Sequence, residues 1–156
     1  MNVIVIGLSL LLALVMAIIP LPLAIDVFRP DWVLLVLLYW TLALPHRVSV
    51  GVAWCCGLLI DIMLGTTLGV HALALTLVIY VAGMNFQRVR NFPVWQQAGV
   101  AALLVAAKLL LVFWLEHLTH NVVVTAHYFW PVLTSAAMWL WLFPLLRRMR
   151  RRFRVR

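Results

Sequence analysis

Apolar residues run along this chain in six blocks, each closed by proline, glycine or a short polar cluster. A helix needs about 17–25 such residues to cross a ~30 Å hydrocarbon core, and the blocks fall in or just below that range. The first spans about 3–19 and stops at Pro20-Leu-Pro22, because proline offers no N–H to continue the helix. The second, about 31–44, opens on Pro30-Asp31-Trp32 and closes at Pro45; proline and a carboxylate suit a helix start. It is short for a span, with Trp32, Tyr39 and Trp40 available to anchor its ends. His46 and Arg47 lead into the third, about 48–64, and Gly65 and Thr66 turn the chain into the fourth, about 67–84. A polar connection over 85–93 precedes the fifth, about 98–118, and the sixth covers about 128–146. Residues 147–156 form a basic tail, and no soluble domain is expected.

Composition turns these blocks into a fold class. With 67% hydrophobic residues, 10% charged and four acidic residues in all, the chain has far more apolar surface than a soluble domain of 156 residues can hide. The expectation is an all-α integral membrane protein built as a six-transmembrane-helix bundle. The net charge of +8 raises nucleic acid as a partner, but the basic residues lie between or after apolar runs and form no groove-reading motif, so no nucleic acid is expected. They read as topology signals. With both termini cytoplasmic, Arg47, Arg88, Arg90 and the tail arginines share one side and Arg29 stands alone on the other. Removing the short second span would place Arg47 outside, so the charge pattern supports six. Cys55 and Cys56 are adjacent in an apolar run and read as small packing residues. No cleavable leader is read before Pro20, and the first block is expected to be retained.

Inside these blocks the ionisable residues need an account. Asp61 sits in an uncharged run, where a carboxylate facing lipid costs at least ~2.5–3.5 kcal/mol, so it should face protein. Gly57, Asp61 and Gly65 recur every four residues and Gly69 follows, which makes a small-residue face that another backbone can approach closely. Two readings of the charges stand. In one, Asp61, His71 and Lys108 form a buried polar cluster, since Asp61 and Lys108 lie at similar depths in their spans. In the other, Lys108 snorkels and Asp61 is capped by Thr66 or Thr67. A proton relay would draw on the same three residues.

Glu116, His117, His120 and His127 have metal-ligand side chains but no ligand geometry, so no metal is expected. Ser9, Ser49 and Ser135 lie in no nucleophile motif, and no phosphate loop or paired acidic motif is present. Neither an enzyme nor a cofactor is expected. The tail arginines, Arg147, Arg148, Arg150, Arg151, Arg152, Arg154 and Arg156, suit anionic lipid headgroups, at about 1 kcal/mol each, or an acidic partner surface.

Three stretches carry a resemblance: Phe28-Arg-Pro-Asp-Trp-Val-Leu-Leu-Val-Leu-Leu-Tyr-Trp40 with Leu44-Pro-His-Arg-Val48, then Gly57, Asp61, Gly65 and Leu68-Gly69, and then Trp95-Gln-Gln97. On these residues the chain resembles the rod shape-determining MreD family of Gram-negative bacteria over essentially its whole length. Lys108 matches none of the family's motifs. The resemblance implies a non-enzymatic scaffold of the inner membrane that acts in wall elongation. Its partners would be a bitopic MreC-like protein, the actin-like MreB, RodA and an elongation transpeptidase. It also implies a bundle similar to the substrate-binding subunits of energy-coupling-factor transporters, which leaves a small-molecule transporter subunit as the alternative function. Gly57, Asp61, Gly65 and Gly69 would then shape the fold or a seam that accepts a partner helix.

Overall fold

The computed structural model describes residues 2–48, 50–121, 123 and 126–155; Ser49 and Arg156 lie outside them. The described residues are helical and contain no strand. Helix α1 is Asn2–Ile18, α2 Leu23–Asp26, α3 Trp32–Ala43, α4 Val50–Leu64 and α5 Val70–Met84. After these come α6 at Phe86–Arg90, α7 at Val94–Thr119, a 3-10 turn at Ala126–Phe129, and α8 at Trp130–Arg152. Two stretches, Val94–Thr119 and His127–Arg152, are long and apolar enough to cross a membrane, while α1, α3, α4 and α5 are shorter apolar helices.

The shortest of the six long helices is the centre of the fold. Every residue of α3 from Val33 to Leu42 is buried, and it packs against α1, α5, α6, α7 and α8. A helix buried on all sides has no lipid or water face to present, which is how 12 residues, about 18 Å of rise, serve as an interior post. Two of its polar side chains are paired inside the bundle: the Trp40 indole donates to Ser9 Oγ at 2.9 Å, and Thr41 donates to Leu37 O at 2.8 Å. Neighbouring helices supply the rim, with Val5, Leu10, Leu75, Ile79, Val105 and Trp139 closing the core.

Two ends of this bundle differ from the sequence expectation. The connection over 85–93 is partly helical, and α7 starts at Val94 because Pro93 stands as its N-cap with extended backbone. The arginines after Leu146 are not a loose tail. Arginine is a good helix former, and cations suit a helix C-terminus, so α8 continues through Arg152. It ends in a Schellman turn: Arg154 takes the left-handed slot at φ 48°, Arg154 N–H donates to Arg151 O at 3.3 Å and Val155 N–H to Arg150 O at 3.0 Å. Val155, 3% exposed, tucks back into the core.

Candidate functional site

Asp61 leaves the last turn of α4 with no exposed surface, yet each of its oxygens is satisfied. Oδ1 accepts from Thr66 Oγ at 2.9 Å, from His71 N–H at 3.1 Å and from His71 Nδ1 at 2.8 Å. Oδ2 accepts from Gly69 N–H at 2.9 Å and Ala72 N–H at 3.3 Å. A carboxylate only accepts, so His71 carries a hydrogen on Nδ1. Three of the five donors are backbone N–H groups of the opening of α5, which no intrahelical carbonyl can reach, and the positive end of the helix dipole favours the charge there. Asp61 is therefore a cap supplied by one helix to the next.

The glycines make that reach possible, each by a different means. At Gly57 a Cβ would lie 2.3 Å from Ala72 Cα, so only hydrogen lets α4 and α5 close to backbone contact. Gly65 ends α4 at φ +66°, while Thr66 N–H donates to Asp61 O at 3.1 Å. Gly69 precedes α5 at φ +100°, which turns its N–H toward Oδ2. The four residues close a helical hairpin, and the face read as shaping the fold or accepting a partner helix is filled at Gly57 by α5 of the same chain.

A second buried charge lies elsewhere. Lys108, 6% exposed in mid-α7, places Nζ 2.5 Å from Asp31 Oδ2 and not near Asp61. The cluster of Asp61, His71 and Lys108 offered by one of the two readings thus divides into two pairs, Asp61 with His71 and Lys108 with Asp31. Asp31 also caps α3, accepting from Leu34 N–H at 3.2 Å, and its own N–H donates to Ser135 Oγ on α8 at 3.0 Å. The node ties α3, α7 and α8 together. Sequence reasoning placed Asp31 at a helix start but missed it as the lysine's partner, which no sequence signal marked.

A model of the MreD family, rod shape-determining protein MreD, matches residues 1–149. The rod shape-determining protein MreD of Haemophilus influenzae is 37% identical over 148 residues, which cover 92% of this chain and 89% of that protein. This chain belongs to the MreD family. No solved structure matches it. MreD membership makes it a membrane protein with a role in cell shape.

The remaining candidate residues of this MreD chain are scattered. His117 stacks on Phe113, with ring centroids 5.7 Å apart, and His127 Nδ1 accepts from Trp130 Nε1 at 3.2 Å. Among the described residues no three metal-ligating side chains converge. Gln97, 2% exposed, donates from Nε2 to Val89 O and Phe92 O at 3.2 Å each, fixing the turn between α6 and α7. Arg147 and Arg150 line a cavity with Arg90, whereas Arg148 lies in a separate apolar groove with Trp141 and Leu145.

Proposed function

We propose that this protein is a non-enzymatic scaffold of the rod-shape complex in the bacterial inner membrane, crossing it six times with both termini in the cytoplasm. MreD membership is the observation that carries the reading. The geometry is compatible with it in two ways. Asp61 and Asp31 are both spent on helix caps and internal pairs, which suits assembly more than chemistry. The chain also leaves large apolar side chains outside on several helices, among them Leu8, Leu11, Leu12, Leu103 and Leu133, as a body set among lipids and partner helices requires. Trp95 and Trp114, both exposed on α7, are 19 residues or ~28 Å apart, a spacing that suits aromatic anchors at two interfaces. In this reading the scaffold holds a bitopic MreC-like protein and, through it, MreB, RodA and the elongation transpeptidase. The same reading implies a bundle like that of energy-coupling-factor substrate-binding subunits.

Purification of the tagged chain from its own membranes, with co-eluting proteins identified by mass spectrometry, tests the proposal. The expected companion is an MreC-like bitopic protein. Recovery of an ATPase and a coupling subunit in its place would make the chain a transporter component.

A further inference from the structure

At the end of the bundle where α3 stops and α7 begins, Arg90 of α6 and Arg147 and Arg150 of α8 line one cavity of about 230 Å³ together with Tyr39, Gln97 and Phe143. A second hollow shares Arg147 and Arg150 and adds Arg151 and Arg154. The chain has four acidic residues, and all lie elsewhere. Asp26 pairs with Arg29, Asp31 with Lys108 and Asp61 with His71, while Glu116 borders a hollow with Thr66 and His120 near the far end of α7. Among the described residues, neither Arg90, Arg147 nor Arg150 forms an ion pair. Like charges gathered in one hollow repel each other and await an anion.

The arginines are held in place rather than strewn along a tail. Gln97 pins the carbonyls around Arg90, and the Arg90 guanidinium lies 5.9 Å over the Phe86 ring. Arg147 and Arg150 are three residues apart on α8, so they share a helix face, and the Schellman turn and buried Val155 secure the end of that helix. Guanidinium forks match phosphate oxygens in paired hydrogen bonds, and Tyr39 adds a hydroxyl. Leu42 and Phe143 give the same cavity an apolar wall. We propose that this cavity is a binding site for a phosphate group, taken from an anionic phospholipid headgroup or from a soluble phosphate. This goes beyond the scaffold role, which needs no such ligand, and it differs from diffuse attraction of the tail to a charged surface in depending on where the arginines stand.

The test uses the full chain in detergent and native mass spectrometry, with phosphatidylglycerol, phosphatidylcholine and inorganic phosphate as separate probes. Two variants lose the same charge: Arg90→Gln/Arg147→Gln/Arg150→Gln in the cavity, and Arg88→Gln/Arg148→Gln/Arg152→Gln outside it. The proposal expects phosphatidylglycerol to bind at least tenfold more weakly to the first and within threefold of the parent for the second. Inorganic phosphate that binds the parent but not the cavity variant, with no preference among the lipids, would assign the same site to a soluble phosphate. Equal losses from both variants, or no binding of either phosphatidylglycerol or phosphate above the phosphatidylcholine level, would overturn it. If the triple variant does not purify, Arg150→Gln against Arg152→Gln gives the same comparison.

Discussion

Asp61 is held by five donors, so a change that keeps its shape and removes its charge isolates what the carboxylate does. In Asp61→Asn the amide NH2 must face backbone N–H groups that also donate, and the expected cost is about 3 kcal/mol in thermal unfolding in detergent. Lys108 makes a parallel case. Lys108→Met should cost about 3–5 kcal/mol by leaving Asp31 buried and unpaired, and adding Asp31→Asn should recover part of that loss. If the double variant is no more stable than Lys108→Met alone, the pair is not coupled. Asp61 was legible in the sequence as a carboxylate that must face protein, and its cap by Thr66 was one of the two readings. The Asp31 pairing was not legible, because depth along a helix says nothing about which neighbour the helix face meets. Arg29 shows the same limit: it counts as a stray positive charge outside, yet its guanidinium donates to the carbonyls of Ala17 and Ile19 and serves as a cap for α1.

Among the elements, the α4–α5 hairpin and α3 carry the most information. Gly57→Ala drives a methyl group into the backbone of Ala72, and a loss of at least ~1–3 kcal/mol is expected. Gly99→Ala on α7 meets nothing within 4 Å and should be neutral or gain up to about 1 kcal/mol in helix propensity. Parallel melting curves of the two variants compare them directly; equal effects would mean that close approach is not what Gly57 provides. The glycine spacing made a close seam legible, since a four-residue repeat stays on one helix face whatever surrounds it. What fills that face is decided by chain reversal at Gly65 and Gly69, and periodicity carries no record of it. The second apolar block was equally visible, but its place at the centre was not. Hydropathy marks α3 as apolar without telling lipid from protein on its flanks.

At the scale of the whole molecule, charge is sorted along the bundle. Asp26, Asp31 and Glu116 lie toward one end, with Asp61 nearer to it, and Arg47, Arg88, Arg90 and the arginines of α8 lie toward the other. The proposed orientation puts the arginine end in the cytoplasm. In a Cys55→Ala/Cys56→Ala background, a cysteine at Gln87 should react with an impermeant thiol reagent only from the cytoplasmic side, and one at Thr119 only from the opposite side. The central claim is that the buried acidic hairpin serves folding of a scaffold and performs no reaction. Its most direct test is rod-shape rescue by Asp61→Asn in cells lacking their own MreD, measured as cell aspect ratio against the amount of folded protein in the membrane. The account predicts that rescue falls only as far as folded protein falls, so that raising expression restores rods. Round cells at the parent level of folded Asp61→Asn protein would contradict it.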